Sequence, residues 1–527
     1  MNRIIVIPAV KKDVAFDNDL VKRIAGVMLI QRALDLACTI ELKENIWVIT
    51  DSQEIELLCQ RQGISCYRDS MLKLKEDVIK NLEDIISGLP SSEHLMLLWP
   101  YCPLIKKDTI LKAWGHYLKS GEHPTISVRK VKVDGMESPK GIIQLSDAKQ
   151  YYRIMRAFIL IPRKVISKGQ ESYHPYVIHQ PYAEIASFHD WWVVEKLIER
   201  KRILFRVIGS NKIGMGHIYR SLTLAHEVTN HEVLFLCDSD SDVALNKIAG
   251  YDYYLKSCSK GEEIKNILDL HPDLVINDIL NTQKEEILAL QNANIKVVNF
   301  EDLGEGAQFA DLVVNELYDQ PQYSGDHVCW GHQYSFLRDE FVGAKVHSFR
   351  ENVGNVLLTF GGSDPSNLTL RVLKKITNFS IQNKLNVNIV CGTGYLYKEE
   401  LTFYLTQMNY SGFNCTFETG VISRIMETTE VAISSNGRTT YELAHMNIPA
   451  IILAHHPREH THRFTVEENG FINLGVYDEL QDKNKVVQHL EELVCNTSVR
   501  KSLYQSMESF NFLQNKDKVI QKILSLL

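Results

Sequence analysis

Residues 212–225, KIGMGHIYRSLTLA, combine side chains that can move a proton and hold an anion. His217 and Arg220 are three positions apart, so on a helix they share one face. An imidazole titrates near neutral pH, and a guanidinium binds phosphate well. Gly214 and Gly216 let the backbone approach a ligand, and the free N–H groups of a helix start attract anions. The stretch therefore predicts an active-site loop, although a tight turn with a helix-capping histidine explains it equally well.

Two later stretches repeat this design of strand, small polar residues and helix start. They are FGGSDPSNLT (residues 360–369) and SSNGRTTYELAHMNIPAIIL (residues 434–453). Amides and hydroxyls at such a position suit a diphosphate, and a carboxylate one turn into the helix can accept bonds from ribose hydroxyls. Each piece alone is explained by local structure, but together they favour a nucleotide-sugar site. The residues expected to contact the nucleotide are Gly362, Ser363, Asn436, Gly437, Thr439, Thr440 and Glu442.

Acidic residues follow two of the strand-like segments between these stretches. Asp278 ends DLVIND, and Glu301 and Asp302 follow IKVVNF. Ligands of open parallel sheets bind at the carboxyl ends of strands, so these carboxylates are expected to face the same cleft. Each could orient His217 or bind sugar hydroxyls, and for each a structural cap is the alternative. Asp278 is the predicted catalytic partner of His217.

Composition restricts the class of protein. The 527 residues carry a formal net charge of -7, which argues against an electrostatic nucleic-acid footprint. We find no apolar run long enough to span a membrane. The ten cysteines are scattered without a Cys-x-x-Cys pair, which favours reduced thiols in the cytoplasm over disulfides or a zinc site.

Short apolar strands alternate with helix-period segments along the whole chain, which predicts an α/β protein with parallel sheets covered on both faces. Charge and polarity shift near residues 195–201 and again near 342–353. We therefore expect three parts, 1–200, 201–345 and 346–527. The last two are expected to be similar lobes that face each other across a cleft.

Residues of about 201–500 resemble the PseG-type UDP-sugar hydrolases of the pseudaminic acid pathway, which are relatives of the MurG-type glycosyltransferases. The matching pieces occur in the family's order: IGMGHIYRSLTLA, DLVINDIL, NFEDLG, GHQYSFLRDEF, FGGSDPSNLT and SNGRTTYELAHMNIPAIIL. The resemblance implies a GT-B fold, with His217 as acid/base for water that attacks the anomeric carbon. It also implies that the second lobe holds UDP. The chain departs from the family at RVIGSN, which lacks an aspartate, and at AHHPREHTHRF (residues 454–464), so the sugar stays open.

That last segment contains four histidines, at positions 455, 456, 460 and 462, which raises the question of a metal. No cysteine accompanies them and Pro457 breaks the run, so we expect no metal there. Sugar or phosphate contacts from Arg458, Glu459 and His462 are the preferred prediction.

Residues 1–200 resemble the cytidylyltransferases that activate nonulosonic acids, a family with a nucleotidyltransferase-like Rossmann-type fold. IIVIPAV, RIAGVMLIQRALDLA, VITDSQEI, LLWPYCPLIKKDTI and YAEIASFHDWWVVEKLI match in order. The family's glycine-rich CTP loop is replaced by VKKDVAFDNDLVK, and its Asp-x-Asp metal pair falls on Glu184 and Ala186. A single carboxylate binds Mg²⁺ weakly. We therefore expect a degenerate domain, whose CTP-type site would comprise Lys11, Lys22, Asp51 and Glu184.

The sequence thus predicts a cytoplasmic enzyme of nonulosonic acid or surface-glycan synthesis that releases UDP from a 2,4-diacetamido-type sugar. Its partner is a UDP-linked amino sugar. The hydrolase needs no cofactor; CTP and Mg²⁺ enter only if the N-terminal domain is active. Three alternatives stay open: a bifunctional cytidylyltransferase and hydrolase, a GT-B glycosyltransferase, and a non-catalytic nucleotide-sugar sensor. The sugar's stereochemistry and the oligomeric state are left open as well.

Overall fold

The computed structural model describes residues 3–10, 16, 18–68, 89–132, 135–138, 141–144, 150–166, 173–179, 183–210, 215–346, 348–417, 419–479 and 484–527. It divides into two compact units, Met1–Arg200 and Lys201–Leu527.

The N-terminal unit is built on a seven-stranded mixed sheet. The antiparallel strand Gln150–Pro162 lies between His94–Leu98 and Thr125–Lys132, so the expectation of a purely parallel sheet is wrong for this unit. In spatial order the strands are His174–Val177, Thr125–Lys132, Gln150–Pro162, His94–Leu98, Arg3–Ala9, Ile46–Thr50 and Ser65–Arg68. Two small hairpins accompany the sheet, Arg23–Ile24 with Val27–Met28 and Gly135–Ser138 with Gly141–Gln144. The α-helices are Leu29–Ile40, Gln53–Gln62, Lys107–Lys119, Arg163–Ile166 and Phe188–Glu199.

The second unit begins with a seven-stranded parallel sheet, and we call the part that carries it the first lobe. In spatial order its strands are Tyr254–Cys258, Glu232–Asp238, Arg202–Val207, Leu274–Asp278, Lys296–Phe300, Leu312–Asn315 and Val328–Trp330. The predicted strands in RILFRV, DLVIND and IKVVNF are all present and almost fully buried, as expected for a sheet covered on both faces. Its α-helices are Gly216–Glu227, Asp242–Ile248, Glu263–Leu270 and Lys284–Asn292.

A six-stranded parallel sheet follows, and we call its part of the chain the second lobe. Its strands are, in spatial order, Phe413–Phe417, Asn386–Cys391, Asn355–Thr359, Val431–Ser434, Ala450–Ala454 and Phe471–Val476. Its α-helices are Leu368–Gln382, Lys398–Met408, Ile422–Met426, Thr439–His445, Pro457–His460, Lys485–Cys495 and Thr497–Met507.

The last helix, Asn515–Leu524, returns to the first lobe. Val519 and Ile523 are buried in the first-lobe core, and Lys516 pairs with Glu227 at the end of the helix Gly216–Glu227. The chain thus crosses between the lobes more than once, and the second crossing adds a further connection between them. Among the residues that the structure describes, no helix is long and apolar enough to cross a membrane.

Candidate active site

The helix Gly216–Glu227 brings the first candidate residues to the carboxyl edge of the first-lobe sheet. Its apolar residues, among them Ile218, Leu222 and Ala225, are buried. The strand that precedes it ends close by, and a Cβ atom at Gly209 would overlap the side chain of Ile218. A side chain at position 209 would therefore force Ile218 to shift where this strand end passes the first turn of the helix.

His217 and Asp278 form a hydrogen-bonded pair. Nδ1 of His217 lies 2.6 Å from Oδ1 of Asp278, the last residue of the strand Leu274–Asp278. The imidazole is 12% exposed and the carboxylate 1%. Within the described part of the chain, no hydrogen bond to Nε2 of His217 is formed. A carboxylate on one ring nitrogen fixes the tautomer and leaves the other nitrogen to exchange a proton.

Arg220 lies one turn further along the same helix and is buried among carboxylates. Its Nε donates to Oδ2 of Asp278 at 2.9 Å, and its Nη1 donates to Glu316 at 2.8 Å and to Glu301 at 3.2 Å. Burial alone would raise the pKa of Asp278, but the charges of Arg220 and His217 outweigh burial and hold that pKa well below its usual range. Asp278 is therefore ionised at neutral pH and can stabilise an imidazolium.

Glu301 and Glu316 follow the neighbouring strands Lys296–Phe300 and Leu312–Asn315. The topology thus places the carboxylates of positions 278, 301 and 316 at the ends of three adjacent strands. Glu301 has a φ of 55°, a left-handed conformation that is uncommon for residues other than glycine. Such strained residues persist where the surrounding structure holds them, often at functional sites.

The second lobe completes this charged cluster. Arg438, which precedes the helix Thr439–His445, forms an ion pair with Glu316 and donates from Nη2 to the carbonyl of Phe336 at 2.8 Å. Burial lowers the pKa of Arg438 to about 10, still well above neutral pH. The hydroxyl of Tyr441 donates to the carbonyl of Glu316 at 2.8 Å. The start of a second-lobe helix is therefore anchored on the first-lobe site.

The glycine loop of the second lobe touches the first lobe beside His217. A Cβ atom at Gly362 would lie 2.8 Å from Cβ and Cγ of Met215. Thr393 also contacts the sulfur of Met215. Because no larger residue fits without a shift, Gly362 sets how closely the two lobes approach here.

Other residues predicted to hold the nucleotide lie nearby, but some of their side chains already form hydrogen bonds with other protein groups. Thr440 donates its hydroxyl to the carbonyl of Gly437 at 2.8 Å, and Glu442 accepts from Arg338 at 2.9 Å. Ser363 is buried, whereas Thr439 and Gly437 are partly exposed at the helix start. Backbone amides therefore remain the better candidates for diphosphate contacts in this region.

Asp302 has a structural role instead of the predicted sugar-binding one. The residue is fully buried, and its carboxylate accepts bonds from Thr282, Asn299 and the amide of Gly304. These bonds tie adjacent loops together and use the lone pairs that a sugar would need.

Asn436 also serves local structure. Its side-chain amide donates to the carbonyls of Glu459 and His462, and its oxygen accepts from Thr465. Glu459 in turn accepts from the amide of His455 at 2.8 Å. The predicted ligand contacts of Asn436 and of the Glu459 carboxylate are thus replaced by contacts within the histidine-rich segment.

Two histidines of this segment also form hydrogen bonds within it. His456 caps the helix Pro457–His460, and His462 contacts the carbonyl of Asn436 at 2.7 Å. Burial lowers the pKa of His462 to about 4, so its ring is neutral. Throughout the described residues, no group of three or more His, Cys, Asp or Glu side chains is placed to hold a metal ion.

Arg458 reaches across to the first lobe. It donates to the hydroxyl of Tyr318, to Oδ1 of Asn281 and to the carbonyl of Glu301, the last at 2.9 Å. Arg458 is partly exposed, and these bonds link the two lobes.

In the N-terminal unit the predicted CTP-type residues have other contacts. The ammonium of Lys22 lies 4.4 Å from the ring centroid of Phe16, and Glu184 accepts from Nε of Arg156 at 2.8 Å. Ala186 offers no carboxylate, so these residues do not fit the two-carboxylate magnesium site of the resembled family. Asp51 follows the strand Ile46–Thr50 and is partly exposed. Lys11 and Gly214, also predicted site residues, lie outside the described residues.

Sequence reasoning missed Glu316 and Arg438. Glu316 follows a buried strand, as Asp278 ends one, so the same rule could have found it. Arg438 stands inside the SNGRTT motif, but nothing local to that motif shows that its side chain reaches the other lobe.

The N-terminal unit resembles a known family in sequence. Residues 16–184 match the cytidylyltransferase family model. Together with the sheet topology, this match confirms the expected α/β fold class: a nucleotidyltransferase-like domain is followed by two lobes, each built on a parallel sheet. MurG from Acinetobacter baumannii is a structural neighbour, with a TM-score of 0.45 and 12% identity over 62% of this chain and 99% of that one.

Three curated proteins are similar in sequence. An uncharacterized protein of Methanocaldococcus jannaschii is 31% identical over 263 residues, which cover 46% of this chain and 54% of that protein. The spore coat polysaccharide biosynthesis protein SpsG of Bacillus subtilis is 22% identical over 309 residues, covering 56% of this chain and 90% of SpsG. The UDP-2,4-diacetamido-2,4,6-trideoxy-beta-L-altropyranose hydrolase of Campylobacter jejuni is 28% identical over 188 residues, covering 34% and 67%.

Proposed function

We propose that this protein hydrolyses a UDP-linked 2,4-diacetamido-trideoxy-hexose and releases UDP, as a step in nonulosonic acid synthesis. The observation that carries the proposal is the His217–Asp278 pair, largely buried at the carboxyl edge of the first-lobe sheet and next to the second-lobe helix start. The similarity to the C. jejuni hydrolase supports the substrate class.

In the proposed reaction, Nε2 of His217 takes a proton from water while the water oxygen bonds to the anomeric carbon. The bond between that carbon and the UDP oxygen breaks, and the electron pair leaves with UDP. Asp278 holds Nδ1–H of the imidazole and stabilises the imidazolium that forms. Second-lobe amides near Gly362 and Gly437 stabilise the charge that develops on the leaving group.

The contacts between the lobes support a closed, water-poor site. Arg438 and Arg458 of the second lobe both bind first-lobe groups, and Met215 packs against Gly362. Closure strengthens electrostatic interactions and excludes bulk water. We place the reaction in the cytoplasm, in keeping with ten cysteines that form no disulfide.

The full chain incubated with UDP-diacetamido sugars in H₂¹⁸O tests this function. UDP should appear without any acceptor, and ¹⁸O should enter the sugar at its anomeric carbon. Label in the phosphate instead would mean P–O cleavage. UDP release that requires an acceptor hydroxyl would identify a glycosyltransferase.

The family match at residues 16–184 raises the question of a second activity, the transfer of CMP to a nonulosonic acid. The Glu184–Arg156 pair and Ala186 argue against it, because they leave no two-carboxylate metal site. We propose that this domain is degenerate. Calorimetric titration of the full chain with CTP and Mg²⁺ tests this, since an active domain would give saturable heat.

A further inference from the structure

Glu301 and Glu316 bind the same nitrogen of Arg220. Nη1 lies 3.2 Å from Oε1 of Glu301 and 2.8 Å from Oε1 of Glu316. The two side chains are 4% and 0% exposed. Two carboxylates that share one donor nitrogen are close to each other, and in a buried site their like charges oppose joint ionisation. One of the pair is expected to keep a proton.

The contacts of the two carboxyls are unequal. Glu316 pairs with Arg220 and with Arg438, so two cations favour its ionised form. Glu301 has the longer bond to Arg220 and one bond from the amide of Leu317 at 3.3 Å. Oε2 of each of the two carboxyls is buried without a hydrogen-bond partner among the described residues. A buried ionised oxygen without a partner is costly, whereas a protonated carboxyl lowers that cost.

The surroundings of Glu301 point the same way. Burial raises the pKa of Glu301, and Arg220 offsets only part of that rise. Its left-handed backbone and the bond from Arg458 to its carbonyl restrain it from moving towards solvent. The titratable or charged groups around it are Arg220, Asp278, Glu316, Tyr318, Arg438, Tyr441 and Arg458.

We propose that Glu301 is a positioning residue that carries a proton in the resting protein. The inference rests on the proposed hydrolysis at this site. With Glu301 neutral, the charge of Arg220 is shared between Asp278 and Glu316 alone. Asp278 then stays ionised and accepts from Nδ1–H of His217, which orients Nε2 to take the proton of water. Ionised Glu301 would draw Arg220 away from Asp278. The carboxylate of Asp278 would then be less firmly held, and so would the imidazole that it orients.

Glu301→Gln tests the inference because glutamine imitates the protonated carboxyl. The informative readout is the pH profile of kcat/KM, because it reports the ionisation of position 301 and not its packing. The wild type should lose kcat/KM as rising pH ionises Glu301, and the variant should lack that fall. Glu285→Gln, at an exposed position, serves as the control. A high-pH fall in kcat/KM that Glu301→Gln leaves unaltered overturns the inference.

A spectroscopic experiment needs no substrate and separates this inference from the proposed function. Infrared spectra of protein with ¹³C-labelled glutamate should show a protonated-carboxyl band at neutral pH that Glu301→Gln removes. Glu340→Gln is the matched control, since burial also raises the pKa of that carboxyl beside Arg338. If the wild type releases no UDP, the proposed function is refuted. The infrared spectrum would still decide whether Glu301 carries a proton. A band that Glu301→Gln leaves unchanged refutes the proton on Glu301.

Discussion

Nδ1 of His217 lies 2.6 Å from Oδ1 of Asp278, although 61 residues separate them in the chain. The parallel sheet brings them together, because the helix that carries His217 begins at the edge where the strand of Asp278 ends. Arg220 then fixes the carboxylate through two further bonds. The proposed base is therefore oriented by groups that are themselves buried and held.

Asp278→Asn should leave the fold in place and disable the base. Asparagine fits the site but cannot stabilise an imidazolium, so we expect kcat/KM for UDP release to fall by about 100-fold or more. Steady-state kinetics measure this effect, and circular dichroism confirms the fold. Asp302→Asn is the comparison: its carboxylate holds loops together, so it should lower the unfolding temperature more than it lowers kcat.

Arg220→Met should destabilise the protein strongly. It leaves the carboxylates of positions 278, 301 and 316 without their shared cation, and breaking a buried ion network costs about 3–5 kcal/mol. Denaturant unfolding measures the change. Arg424→Met, at an exposed position, is the control and should have little effect. Equal stabilities of the two variants would contradict the described network.

Gly362→Ala should weaken the contact between the lobes. Its new Cβ would press on Met215, and overpacking of this kind costs about 1–3 kcal/mol. We expect a lower unfolding temperature and a lower kcat/KM. Gly420→Ala is the matched control, because a Cβ there meets nothing within 4 Å. If both variants behave alike, the close approach at Gly362 does not matter.

The stability of the second unit should depend on pH through His462. Its pKa is about 4 in the folded protein against a usual 6.5, so between these values the unfolded chain binds a proton that the folded chain does not. The free energy of unfolding should therefore fall as pH drops from 6.5 to 4, by about 3 kcal/mol at most. His462→Gln should flatten this part of the profile. If the free energy of unfolding depends on pH in the same way in the wild type and the variant, His462 is not the cause of that dependence.

The sequence predicted the alternating α/β architecture and the pairing of His217 with Asp278, because periodicity and strand-end rules are local and general. It assigned Arg220 to phosphate, whereas the structure buries Arg220 among carboxylates. It assigned Asn436 and Asp302 to ligands because a short polar side chain at a strand end looks the same when it caps a loop. The pairing of Arg438 with Glu316 depends on how two lobes approach, which no local pattern encodes. The antiparallel strand Gln150–Pro162 was missed because its apolar run carries no sign of direction.

The most direct test compares UDP release by the wild type and by His217→Ala with a UDP-diacetamido sugar and no acceptor. The account predicts steady release by the wild type and a loss of about 100-fold or more in the variant, at an unchanged unfolding temperature. His226→Ala, on the same helix but in its last turn, should release UDP at the wild-type rate. Full activity of His217→Ala would contradict the account.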